Sequence, residues 1–322
     1  MGYGSIGKRH VTNLLSLPNM EVIVCSKHAK LDVKLKKKCK VIDSLEKCIQ
    51  EKPDIGFITN YTSNHIPTAI KLANAGIDLF IEKPLSNSLH NISKLKKLAK
   101  KKKLITMVGC NMRFHKCIKK IKEIISKNEI GSILSVQVEC GTYLPNWHPY
   151  EDYRQSYASR KELGGGVELT CIHEIDYLCW FFGLPKEIFS MGNQSSDLEI
   201  NVNDLSTSIL RFRNKVIAEL HLDYFQRPDS QSCKIIGTKG TVLWNSNTNN
   251  VLMYDIKKKK WIQKLQIKNY NRNTMYLDEL SHFINCVKIK EKSINDVNES
   301  TKTLEVVLAI IRSSKTHKVI KL

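Results

Sequence analysis

The stretch Phe80-Ile81-Glu82-Lys83-Pro84-Leu85 puts an acid and a lysine directly after an apolar run. Asp78 to Ile81 reads as a short buried strand. Pro84 has no amide hydrogen and pushes Lys83 away from helical angles, so the strand ends there. In an open α/β sheet the ligand crevice lies outside the carboxyl ends of the strands, so a lysine there is placed for chemistry. A second focus is Gly164-Gly165-Gly166, followed by Val167 to Tyr177. The glycines permit close backbone approach, and the helix after them carries His173 and Asp176 three apart, on one face. A positioned histidine or lysine can take a proton from a reacting hydroxyl. Lysine also stabilises a developing alkoxide. Each residue has a plainer reading as well. Lys83 could be a surface lysine after a strand, and His173 a structural histidine.

The elements that would hold these groups alternate between helix and strand. Gly2, Gly4 and Gly7 have the G-x-G-x-x-G spacing, and a helix from about Ile6 to Leu17 follows. The glycines allow a tight turn, approach to a pyrophosphate and close helix packing, and the free N–H groups of the helix start would face the phosphates. Only Met1 precedes this loop, where a central strand is normal. The expectation is that several apolar residues lie upstream in the natural protein, which the in-frame codons before Met1 would settle. Met20 to Cys25 reads as the next strand, and Ser26-Lys27-His28 stands at its tip in place of a ribose-binding carboxylate. A hydroxyl and a cation suit a 2′-phosphate, which favours NADP over NAD. Strands at 41–43, 54–59, 78–81 and 104–109 then alternate with helices at 45–51, 66–75 and 88–102. This is the pattern of a Rossmann-type, doubly wound parallel sheet lacking its first strand.

After Phe114 the texture changes. A helix from Cys117 to Lys127 leads into a strand, Ile133 to Tyr143. Beyond an aromatic stretch and the glycine-rich helix come strand-like runs at 206–212, 216–224, 232–236, 241–244 and 251–255. No helices intervene, so an α+β domain with a large, mostly antiparallel open sheet is expected. Helices at 276–287 and 301–313 close the chain. The boundary is placed between a first domain, 1–114, and a second, 115–322.

Taken together, these motifs resemble the glucose–fructose oxidoreductase / inositol dehydrogenase / MocA family. The resemblance rests on the glycine loop, Thr62-x-x-His65 after a strand, Glu82-Lys83-Pro84, Asn111-x-Arg113-Phe114, and Gly164-Gly165-Gly166 leading to His173-Glu174-Ile175-Asp176. Trp147 to Arg154 and Met275 to Phe283 resemble the members found in surface-sugar biosynthesis clusters. The resemblance implies an NAD(P)-dependent dehydrogenase or reductase acting on a sugar or sugar derivative, nucleotide-linked sugars included. Lys83 and His173 would then be catalytic, converging on one nicotinamide. Gly2, Gly4, Ser5, Ile6, Gly7, Ser26, Lys27, Asn60, Thr62, His65, Glu82, Lys83, Asn111 and Arg113 would line the cofactor. Arg113, Trp147, His148, Tyr153, Arg154, Thr170, His173 and Asp176 would meet substrate. The family often has an aspartate where Thr170 stands, one turn before the histidine. That departure keeps open an alternative, a regulator of the same fold that senses NAD(P) or a sugar without turnover. The resemblance also implies a homodimer or homotetramer joined through the outer face of the second sheet.

Composition narrows the rest. The chain has 322 residues and ten scattered cysteines with no Cys-x-x-Cys pair, so free thiols in a reducing cytoplasm are expected and no metal site. No run is long enough to span a bilayer. The net charge of +20 raises nucleic-acid binding, but the lysine runs at 34–40, 94–103 and 257–260 carry no interleaved aromatics. The first two runs fit exposed helix faces and the third a turn between strands. No nucleic-acid partner is expected.

Overall fold

The computed structural model describes residues 1–27, 31, 35, 37–213 and 215–322. His28, expected at the nucleotide site, and Lys34 and Lys36 of the first lysine run lie outside the described residues.

From the N-terminus the chain forms α1 (Ser5–Leu15), β1 (Val22–Cys25), β2 (Cys39–Ile42), α2 (Leu45–Gln50) and β3 (Ile55–Ile58). Next are α3 (His65–Asn74), β4 (Asp78–Glu82), α4 (Ile92–Lys102) and β5 (Thr106–Gly109). Gly7, His10, Val11 and Leu14 of α1 are buried, the spacing of one helical face. All five residues of β4 are buried, as a strand covered on both faces requires. Parallel pairing joins β3, β4 and β5 into one sheet and β1 and β2 into another. Met1 and Gly2 bond to both. The Met1 amino group donates to Phe57 O at 2.7 Å and Met1 O accepts from Thr59 N at 2.8 Å, while Gly2 N donates to Cys25 O at 3.2 Å. The Rossmann-type parallel strands therefore form two sheets, and Met1 and Gly2 are hydrogen-bonded to a strand end of each.

The remainder forms α5 (Lys116–Ser126), β6 (Ile133–Tyr143), α6 (Val167–Thr170), α7 (Ile172–Phe182), β7 (Pro185–Asn193), β8 (Leu205–Phe212), β9 (Ile217–Asp223) and β10 (Phe225–Gly237). It ends with β11 (Gly240–Asn245), β12 (Asn250–Asp255), β13 (Lys260–Gln266), α8 (Asn273–Ile289), α9 (Val297–Thr316) and β14 (Ile320–Lys321). Nine strands make one sheet in the order β13-β12-β11-β10-β6-β9-β8-β7-β14. Only β6 and β9 pair in parallel. In β8 buried and exposed residues alternate, the mark of a sheet covered on one face.

The chain divides into two compact units, Met1–Gly109 with Leu277–Thr301, and Cys110–Tyr276 with Lys302–Leu322. In the first, Leu14, Leu280 and Ile284 form one cluster. Close by, Phe57 and Phe80 stack at 4.9 Å, and Phe283 meets Phe80 edge-on at 5.5 Å. In the second, Trp244, Tyr177, Tyr224 and Phe212 are among the largest fully buried side chains. Among the described residues no helix is long and apolar enough to cross a membrane.

Several local expectations need correction. The helix expected from residue 88 starts at Ile92, because Asn91 takes a left-handed φ of 60°. The helix after the glycines breaks at Cys171 (φ −89°, ψ 37°) into α6 and α7. Strands β7, β13 and β14 lie outside the expected runs, and β10 is far longer than the run 232–236. Lys37 and Lys38 lie in a turn and Lys40 in β2, so this part of the first lysine run is not helical.

Phe80 is fully buried and touches every ring of the aromatic cluster, so Phe80→Ala should cost about 3–5 kcal/mol. Urea unfolding followed by circular dichroism is expected to show that loss.

Candidate functional site

The glycine turn sits at the carboxyl ends of β1 and β3, since Met1 and Gly2 bond to Cys25 O and Thr59 N there. Gly2 has φ +92°, and a Cβ on it would lie 2.6 Å from Thr59 O. A Cβ on Gly7 would lie 2.6 Å from Gly2 O. Both positions therefore need glycine. Gly4 differs: a Cβ there would meet nothing within 4 Å. Gly4 is also the N-cap of α1, and no side chain caps the helix. An open approach at Gly4, with the helix amides of Ser5 and Ile6 behind it, fits the pyrophosphate of a dinucleotide.

Ser26 is half-buried and Lys27 exposed at the tip of β1. Ser26 N donates to Ile42 O at 3.0 Å, which brings the end of β2 alongside. There Asp43 bonds Lys47 at 3.2 Å. That hydrogen bond, with a smaller contribution from Lys27, lowers the Asp43 carboxyl below its ordinary range.

The loops after β3 and β4 are tied together. His65 is buried, with Nε2 3.0 Å from Asn60 O and Nδ1 2.8 Å from Pro84 O. Burial lowers the His65 pKa even though both carbonyls favour the proton. Asn60 also donates from its side chain to Thr68 Oγ1 at 3.0 Å, and Thr62 is buried in the short turn that leads into α3.

Glu82 ends β4 and is only 7% exposed. Its Oε1 lies 2.6 Å from Nε2 of buried His10, and its Oε2 accepts the Lys83 N–H at 3.1 Å. The Lys83–Pro84 peptide bond is cis, and Lys83 is half-buried. His10 belongs to none of the motifs singled out in the sequence. Its one sequence signal is a place three after Gly7, on the same buried face of α1.

In the second unit Arg113 and Asp176 pair with each other. Arg113 Nε donates to Asp176 Oδ2 at 2.7 Å and Nη2 to Oδ1 at 2.8 Å. Thr303 adds a hydroxyl bond to Oδ1 at 3.2 Å, and the Trp180 ring lies 5.7 Å from the guanidinium. Burial opposes the Arg113 charge, but adjacent Asp176 outweighs it and holds the pKa above the ordinary value. Asn111 and Arg113 are buried in a short turn, Asn111–Phe114. Both Asp176 oxygens thus accept hydrogen bonds from within the second unit.

Thr170 is buried at the end of α6, and half-buried His173 lies near the start of α7. Glu168 is turned away to Asn203, whose Nδ2 donates to it at 2.8 Å, and burial raises its pKa. Trp147 donates to Thr142 Oγ1 at 2.5 Å and meets Tyr224 edge-on. His148 Nδ1 lies 3.1 Å from Tyr150 Oη, and the Tyr153 hydroxyl accepts Glu199 N at 3.2 Å. Arg154 is held by Asp152 at 2.9 Å and Glu199 at 3.2 Å, on the wall of an open cavity of about 450 Å³. Arg160 and Asn201 also line it, so its charges balance. Lys83 belongs to the first unit and His173 to the second.

Known proteins match along most of this length. An oxidoreductase family with an NAD-binding Rossmann fold matches residues 1–110, and the GFO/IDH/MocA C-terminal domain matches residues 118–243. A myo-inositol 2-dehydrogenase of Thermotoga maritima is 26% identical over 303 residues, covering 90% of this chain and 88% of its own. The fold is that of a levoglucosan dehydrogenase solved with NADH and levoglucosan, with a TM-score of 0.88, 16% identity, and coverage of 99% of this chain and 97% of that one. A myo-inositol 2-dehydrogenase from Lactobacillus plantarum gives a TM-score of 0.82 at 20% identity, covering 100% and 97%. With the two halves of one family matched in order along it, the chain belongs to the GFO/IDH/MocA oxidoreductase family.

Proposed function

We propose that the chain transfers a hydride between a nicotinamide and a carbinol or keto carbon of a sugar or sugar derivative, nucleotide-linked sugars included. The observation that carries this reading is Lys83. It follows a fully buried strand, its backbone is held by a buried carboxylate, and it stands at the same carboxyl edge of the parallel strands as the glycine turn. The relatives named inositol and levoglucosan dehydrogenases support a polyol or sugar as the substrate class.

The nicotinamide supplies the hydride donor or acceptor. The amides of Ser5 and Ile6 bind phosphate charge through the helix start. The Lys83 ammonium holds the substrate oxygen and stabilises it as alkoxide character grows. The His173 imidazole takes the hydroxyl proton in oxidation and returns it in reduction. Thr170 carries no charge, so proton handling falls to Lys83 and His173. That same threonine supports the second reading, a sensor without turnover. A screen of sugars and sugar nucleotides at the nicotinamide absorbance band separates the two, because a sensor gives no change.

At the adenosine end, Ser26 and Lys27 favour a 2′-phosphate, and Asp43 offsets part of the Lys27 charge. Ten free thiols fit a reducing compartment, and we place the enzyme in the cytoplasm. We also read the second sheet's outer face as the contact between copies in a homodimer or homotetramer. Phe189 and Ile209 lie opposite one another on β7 and β8, both exposed, with exposed Met191 and Ile217 nearby in the register. An apolar patch of this kind marks an interaction surface.

Three outcomes are expected. With the substrate found by the screen, Lys83→Ala should lower kcat by about 10²-fold or more while NADH fluorescence still reports binding. NADPH should bind more tightly than NADH, by about tenfold or less, in fluorescence titration. Ile209→Asp should reduce the mass seen by light scattering to that of one chain.

A further inference from the structure

His10 has no part in the mechanism above, yet it is 2% exposed and makes one of the shortest polar contacts in the first unit, 2.6 Å to Glu82. Its ring is fixed on two sides, 5.5 Å from Phe57 and 5.1 Å from Phe80 by centroid. Those two rings stack on each other, so the imidazole cannot swing without opening the core. Room for the carboxylate is also built in. A Cβ on Gly109 would lie 3.3 Å from Glu82 Oε1 and 3.2 Å from the Phe80 ring. The other carboxylate oxygen, Oε2, accepts the Lys83 amide. The chain of contact therefore runs from the helix that opens at the glycine turn, through one imidazole and one carboxylate, to the backbone of Lys83.

We propose that His10 is a positioning residue for Lys83. Its Nε2–H donates to Glu82 Oε1 and fixes the carboxylate so that Oε2 holds the Lys83 backbone. The inference rests on the reading that Lys83 is the group beside the reacting carbon. Helix α1 then serves twice, with its first turn facing phosphate and its buried face setting the lysine.

Amide hydrogen exchange at single-residue resolution, on the full chain with NADH bound, tests this. In His10→Phe, which keeps a ring but has no donor, the Lys83 amide should exchange at least about tenfold faster. The ladder amides of β4 should stay within about twofold, and His10→Gln, which restores a donor near the Nε2 position, should return Lys83 to the parent rate. A folded His10→Phe with an unchanged Lys83 amide overturns the proposal. So does equal acceleration along all of β4, which is general loosening. If His10→Phe does not fold, the imidazole nitrogen resonances of the unaltered protein decide: a protonated, slowly exchanging Nε2 supports the proposal and a bare Nε2 overturns it. Exchange does not depend on turnover, so failure here leaves an inactive Lys83→Ala standing. An active Lys83→Ala would instead remove the catalytic reading and leave the exchange result intact.

Discussion

A carboxylate withdrawn from water must find partners for both oxygens, and in the first unit that demand organises everything around it. Glu82 terminates a strand of the parallel sheet that is buried along its whole length. Left bare, its charge would cost several kcal/mol, far more than any one turn or loop could offset. His10 and the Lys83 amide meet the demand. The aromatic stack of Phe57, Phe80 and Phe283 makes the surroundings dry, which sharpens both interactions. Gly109 leaves the volume the carboxylate needs, so even a methyl group on the adjacent strand would disturb it. Helix, two strands and a loop are thereby locked by one acid.

The second unit contains a buried pair of a different kind. Arg113 and Asp176 meet through two parallel hydrogen bonds, the geometry that best suits guanidinium and carboxylate. Because Asp176 and His173 share one face of α7, holding the aspartate also fixes the rotation of the helix about its axis. Thr303 on α9 and Trp180 on α7 close the pair off from water. The aspartate thereby anchors the face of α7 that also carries the histidine one turn earlier.

Much of this was legible in the residues because the informative signals are local. The buried run ending at Glu82, the glycine spacing and the alternation of strands with helices each follow from one short window. Ile133 to Tyr143 has the bounds the sequence suggests. The misses share one cause, which is that distant packing decides them. Asn91 enters a left-handed conformation and delays α4, a choice that Asn87-Ser88-Leu89-His90 before it does not announce. Strand β13 is exposed and lysine-bearing, so it lacks the apolar alternation that marks a strand, and it exists because β12 offers it a ladder. Strand β7 begins at Pro185, a residue that ordinarily argues against a strand but is tolerated at its first position. His10 looked like one polar residue in an amphipathic helix. Its partner lies 72 residues away, and no local pattern carries that information. The return of residues 277–301 to the first unit has the same character.

The lysine surplus is also explained by where the charges sit. In α4, Lys94, Lys97 and Lys100 to Lys102 are exposed, while Ile92 and Leu95 are the residues buried. Lys100, Lys101 and Lys102 occupy the last turn, where the helix dipole favours cations by about 0.3–1 kcal/mol each at low salt. Elsewhere lysines pair with acids on the surface, as Lys71 does with Glu46 and Lys127 with Glu123, contacts that water and salt screen. These lysines reach water rather than one another, so their effect is a long-range positive field instead of a binding groove. Such a field raises the local concentration of anions and speeds their arrival. A pyrophosphate-bearing cofactor is an anion of this kind, and the glycine turn with its uncapped helix start is where that attraction can end in a specific contact.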